Sequence, residues 1–96
     1  MPSPRLTESE VTSQQRLLDS WQVENGELVR TFTFADFRAA LAFVNQVGEL
    51  AETAGHHPDI DIRYNRVHLA LVTHDAGGLT AKDFDLARKI NAIQAA

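Results

Sequence analysis

The chain has 96 residues, 44% of them hydrophobic and 23% charged, with a net charge of −4 and no cysteine. That is one ordinary globular domain, small enough that its core buries a modest fraction of its surface, so self-association is expected. The negative charge argues against sequence-independent nucleic-acid binding, and no apolar stretch approaches the ~20 residues that cross a bilayer.

Residues 1–6 carry two prolines and read as a flexible lead-in to a single domain over 7–96. Met1-Pro2-Ser3-Pro4-Arg5 lacks the apolar segment of a secretion signal, so a cytoplasmic location is the expectation. Thr7-Glu8-Ser9-Glu10 predicts a helix start, with the hydroxyl capping and Glu10 three residues on. Val11, Leu17 and Leu18 give that helix a thin apolar face, and it should fade by Asp19-Ser20.

Asn25-Gly26 predicts a tight hairpin, because both residues tolerate positive φ. The first strand would hold Trp21 and Val23. The second alternates Leu28, Arg30, Phe32 and Phe34 against Val29, Thr31 and Thr33. Residues 35–54 then switch to helical spacing, with Phe37, Leu41, Val44, Val47 and Ala51 as one apolar stripe. Gly55 stands where a left-handed residue would end that helix. Pro58 biases His57 toward an extended backbone, which places His56 and His57 just past the helix end.

A second hairpin follows. Ile60, Ile62 and Tyr64 alternate with Asp61 and Arg63, Asn65-Arg66 makes a short connection, and Val67 to His74 forms the partner strand. After Gly77-Gly78, Thr80-Ala81-Lys82-Asp83 has the spacing of a capping box. It would open a last helix with Phe84, Ala87, Ile90 and Ile93 inward. The order α-β-β-α-β-β-α predicts an α+β fold: a four-stranded antiparallel sheet with helices packed on one face.

The chemistry-bearing residues are the histidines at 56, 57, 68 and 74. Imidazole titrates close to cellular pH, so a histidine gives and takes protons readily. His68 lies inside a regular strand and is read as structural. His56-His57, between a helix-stopping glycine and a proline, is the more unusual context. Metal binding is the rival reading, since three histidines can hold zinc and leave a position for water. Adjacent side chains in an extended segment point apart, however, and no H-E-x-x-H helix is present. Nor is there a G-x-S-x-G elbow, a cysteine nucleophile or a phosphate-binding glycine loop. Among the carboxylates, Glu52 stands one turn before His56, whereas Asp83 fits a helix cap.

The ordered set Glu52-x-x-x-His56-His57-Pro58, Tyr64-Asn65-x-Val67, Thr73-His74-Asp75, Gly78-Leu79-Thr80-x-x-Asp83 and Leu86-Ala87 resembles the pterin-4a-carbinolamine dehydratase family. Trp21 and Phe32-x-Phe34-x-x-Phe37 extend the likeness upstream, over about residues 15–93. The resemblance implies a hydro-lyase that removes water from 4a-hydroxytetrahydropterin, a product of aromatic amino acid hydroxylases, without metal or organic cofactor.

It also implies His56, His57 and His74 as the catalytic histidines. His56 and His74 would transfer protons, and His57 would orient the pterin. Glu52, Pro58, Thr73 and Asp83 would contribute to binding the substrate. A homodimer or homotetramer is the implied assembly. The sequence departs from some relatives at Gly55, where they carry aspartate, and at Ile60, where they carry tryptophan. Other relatives serve as a transcriptional coactivator's dimerisation partner or as an assembly chaperone, so a non-catalytic binding module is the alternative.

Overall fold

A computed structural model describes residues 3–95; Met1 and Pro2 of the expected lead-in, and Ala96, lie outside the described residues. The elements are α1 (Glu8–Arg16), β1 (Gln22–Glu24), β2 (Glu27–Thr33), α2 (Phe37–Ala54), β3 (Asp59–Arg63), β4 (Arg66–Leu71), a single 3-10 turn (His74–Ala76) and α3 (Ala81–Ala95). The strands form one antiparallel sheet in the order β1-β2-β4-β3, so the fold is α+β with the expected element order.

Local signals account for the element ends. Thr7 Oγ1 accepts from Glu10 N–H while Glu10 Oε1 accepts from Thr7 N–H, a complete capping box. α1 stops at Arg16, earlier than expected, and Leu17 is 75% exposed; only Leu18 of that pair enters the core. Asn25 and Gly26 have φ of 52° and 77°, and Glu24 pairs with Glu27, giving the two-residue hairpin. Trp21 falls just before β1, fully buried, with its indole N–H donating to Asn91 Oδ1 at 2.8 Å.

The second turn is Tyr64-Asn65, not Asn65-Arg66. Arg66 pairs with both Arg63 and Thr33, which draws it into β4. Asn65 is retained in the turn by Phe34. Phe34 N–H donates to the Asn65 carbonyl at 2.8 Å, and Asn65 Nδ2 donates to the Phe34 carbonyl at 2.8 Å. β4 also ends sooner than expected, at Leu71; Thr73 forms an isolated bridge with Gly78, and His74 opens the 3-10 turn.

The larger correction concerns α2. Its buried residues are Ala40, Phe43, Val47 and Ala51, whereas Phe37 and Leu41 remain 46% and 39% exposed. The helix is turned by roughly 50° from the expected stripe, given 3.6 residues per turn. The cause is aromatic packing: the Phe43 ring centroid lies 4.7 Å from Phe32 and 4.9 Å from Phe34. Phe43 fills that position, and alanines at 40 and 51 permit close approach to the sheet. α3 buries Phe84, Ala87 and Ile90 as expected and adds Leu86, while Ile93 packs at the edge of the core.

Arg30, the charged member of an apolar face, is accommodated without a carboxylate. Its guanidinium lies 4.2 Å from the Phe32 ring centroid and donates to Asn91 Oδ1 at 2.7 Å and Ser20 Oγ at 3.1 Å. Partial burial lowers its pKa from the ordinary arginine value. No helix among the described residues is long and apolar enough to cross a membrane.

This packing predicts that Phe43→Ala destabilises the domain by about 3–5 kcal/mol in chemical denaturation. Leu17→Ala should change stability by under about 0.5 kcal/mol; similar losses for the two would contradict the assigned core.

Candidate active site

The end of α2 seats the histidine pair. Gly55 adopts φ 63°, ψ 31°, its N–H donates to Glu52 O at 3.2 Å, and His56 N–H donates to Ala51 O at 3.1 Å. This is a Schellman ending, in which the left-handed residue turns the chain back under the helix. It directs His56 inward: its side chain is 11% exposed and its Nε2 lies 2.5 Å from Asp83 Oδ1. His57 emerges on the other side, 62% exposed, with Nε2 2.5 Å from Glu52 Oε2. The two neighbours therefore point apart and take separate carboxylate partners.

Asp83 comes from the first turn of α3 and is fully buried. Its Oδ2 accepts from Thr80 N–H at 2.9 Å and from the Thr73 hydroxyl at 2.9 Å. The Thr80–Asp83 cap is thus present in one direction; the Thr80 hydroxyl accepts from Lys82 N–H at 3.2 Å instead of from Asp83 N–H. Thr73 is 7% exposed and also contacts Thr80 Oγ1 at 2.8 Å. Thr73 and Asp83, expected to contribute to binding the substrate, are both buried; Asp83 bonds to His56, and Thr73 bonds to Asp83.

His74 is exposed, at the start of the 3-10 turn that Gly77 closes with φ 72°. The Thr73–Gly78 bridge ties that turn at its base, with Thr73 N–H donating to Gly78 O at 3.1 Å. His74 lines a cavity of about 810 Å³ together with Val72, Leu79 and Leu6. Leu6 is docked there by its N–H, which donates to Leu79 O at 2.8 Å. His57, Glu52, Pro58 and Ile60 line a second cleft of about 400 Å³.

The structure thus joins His56, Asp83 and Thr73 directly, joins Glu52 to His57, and sets His57 and His74 on different cavities. His68, read as structural, bonds through Nδ1 to Thr31 Oγ1 across the strands at 2.8 Å. Among the described residues no three His, Cys, Asp or Glu side chains cluster as a metal site.

Thr80, expected as a helix cap and as part of the family motif but not among the site residues, is fully buried between Thr73 and Lys82, a place that its capping pattern alone does not reveal.

The chain is similar to known proteins over most of its length. A family profile described as Pterin 4 alpha carbinolamine dehydratase matches residues 4–93. A protein of Chloroflexus aurantiacus named for that family is 63% identical over 90 residues, covering 94% of this chain and 97% of its own. The crystal structure of a transcriptional coactivator/pterin dehydratase from Brucella melitensis is similar with a TM-score of 0.88 and 44% identity, over 93% of this chain and 97% of that one. A pterin dehydratase-like protein identified as a RuBisCO assembly factor in the alpha-carboxysome shares the fold, with a TM-score of 0.62 and 23% identity over 76% of this chain and 84% of that one.

Removing the buried carboxylate should be costly. Asp83→Ala is expected to destabilise the domain by about 3 kcal/mol, since it strands the Thr80 N–H and the Thr73 hydroxyl in the interior. Glu52→Ala, at an exposed pair, should change stability by no more than about 0.5 kcal/mol. Equal values from denaturant titration would show that Asp83 does not carry the network.

Proposed function

The chain belongs to the pterin-4a-carbinolamine dehydratase family, and from that premise we propose that it dehydrates a 4a-hydroxytetrahydropterin to the quinonoid dihydropterin. The observation that carries this reading is His56, held by a fully buried carboxylate at the mouth of a helix end. A proton-transfer group needs fixed geometry more than it needs strength.

In the reaction the bond from C4a to the hydroxyl oxygen breaks. Hydroxide leaves poorly, so an acid protonates that oxygen as it departs as water. The adjacent ring nitrogen gives its proton to a base, and its electron pair forms the carbon–nitrogen double bond. One proton enters and one leaves, with no external oxidant or reductant required.

His56 and His74 are the proposed proton-transfer pair. The bonds from His56 to Asp83 and from Asp83 to Thr73, whose next residue is His74, support pairing these two. His57, exposed and steered by Glu52, is the proposed pterin-orienting residue, with Pro58 beside it in the same cleft. Thr73 and Asp83 hold His56. A homodimer or homotetramer in the cytoplasm is the proposed working form, and the exposed Phe37 and Leu41 favour self-association. The presence of all three histidines, two with a carboxylate partner, favours catalysis over a purely assembling role.

Stopped-flow absorbance with 4a-hydroxytetrahydropterin tests the proposal. His56→Ala and His74→Ala are each expected to lower kcat by roughly 10²–10⁴-fold, while His57→Ala should mainly raise KM. Wild-type-like turnover in a variant lacking both His56 and His74 would remove the mechanism. No turnover by the wild type, together with a stable protein partner, would favour the binding module.

A further inference from the structure

We infer that Thr80 is a positioning residue which, through Thr73 and Asp83, determines the nitrogen that His56 presents to its ligand. This deepens the dehydratase reading and rests on it for its catalytic consequence.

A threonine hydroxyl has a single proton to donate. Thr73 gives its proton to Asp83 Oδ2 at 2.9 Å. The 2.8 Å contact between Thr73 Oγ1 and Thr80 Oγ1 must then be donated by Thr80. Thr80 can do so because its own oxygen accepts from Lys82 N–H at 3.2 Å, at the first turn of α3. The backbone N–H of Thr80 also donates to Oδ2 at 2.9 Å.

Every donor in the chain therefore points toward the carboxylate, which meets them as an acceptor. Oδ1 remains, 2.5 Å from His56 Nε2, and as part of an ionised carboxylate it too accepts. His56 consequently keeps a proton on Nε2, and Nδ1 is the nitrogen left to exchange protons with the ligand. The remaining nitrogen of an imidazole is commonly selected in this way, by the bond the other one makes.

The direction is set at a distance from His56. Thr73 and Thr80 are seven residues apart and meet because the Thr73–Gly78 bridge folds the intervening loop back. Among the described residues no buried side-chain polar atom lacks a partner, so every hydroxyl in this chain of bonds is engaged. Removing the Thr80 hydroxyl leaves Thr73 Oγ1 with no donor. Thr73 can then rotate away, the carboxylate keeps only the Thr80 N–H as a fixed donor to Oδ2, and its hold on the Nε2–H form of His56 is loosened.

Nitrogen-15 NMR of ring-labelled protein tests this without any substrate. Wild-type His56, when neutral, should be protonated on Nε2 alone. Thr80→Val should populate both tautomers and lower kcat about tenfold, with KM within about twofold, as expected for lost orientation of one transfer group. Thr80→Ser keeps the hydroxyl and should restore both the tautomer and kcat. Thermal unfolding of the variants separates these effects from the loss of a helix cap.

Protonation of wild-type His56 on Nδ1 would overturn the inference, and so would a Thr80→Val protein with unchanged tautomer and kcat. Should Thr80→Val fail to fold, the wild-type tautomer and the Thr80→Ser kinetics decide. A wild type without dehydratase turnover would defeat the proposed reaction, yet the spectra would still decide whether Thr80 controls His56.

Discussion

A carboxylate buried to zero exposure is the constraint around which this small domain is arranged. Taking a charge of that kind out of water costs several kcal/mol unless hydrogen bonds replace the lost hydration. Asp83 obtains them from three segments: the exit of α2 through His56, the loop after β4 through Thr73, and its own helix start through Thr80. None of these segments satisfies the carboxylate alone. Two of the bonds join distant segments and the third is the local helix cap, and the imidazole of His56 is one of the partners.

The aromatic cluster makes that convergence possible. Phe43 seated between Phe32 and Phe34 fixes how α2 is rotated on the sheet. The same rotation puts Ala51 against the core and leaves Glu52 in solvent, one position further around the helix. Because Ala51 also accepts the N–H of His56, the helix rotation sets the starting point of the inward turn. Packing far from the histidines therefore contributes to their placement, through the backbone and not through contacts with their side chains.

What the sequence made legible was local. Thr7 with Glu10, Asn25-Gly26 and Gly55 are read correctly because each depends on the conformational preferences and capping groups of a few consecutive residues. The face of α2 was not legible, since the helix offers apolar residues on two adjoining lines and only the sheet's phenylalanines decide between them. The turn at Tyr64-Asn65 was misplaced for a similar reason: Phe34, some thirty positions away, holds Asn65 there. The candidate site divides the same way. His56, His57 and Glu52 stand out in adjacent sequence, as does the Thr80–Asp83 cap, whereas the bonds of Thr73 to both and of Asp83 to His56 exist only once distant segments are brought together.

The two histidine–carboxylate pairs carry the same chemistry in opposite surroundings, and that difference separates their capacities. His56 and Asp83 are 11% and 0% exposed, whereas His57 and Glu52 are 62% and 75% exposed. In the interior an electrostatic hydrogen bond is poorly screened and its geometry is held by packing. At the surface the same bond competes with water and is readily exchanged. A fixed imidazole suits a proton transfer whose rate depends on alignment; an exchangeable one can leave its carboxylate to meet an incoming ring and return when that ring departs. The two adjacent side chains leave the backbone on opposite sides, and only that of His56 is covered by the protein. The difference in setting between His56 and His57 therefore follows from backbone geometry, with Gly55 and Pro58 on either side of the pair.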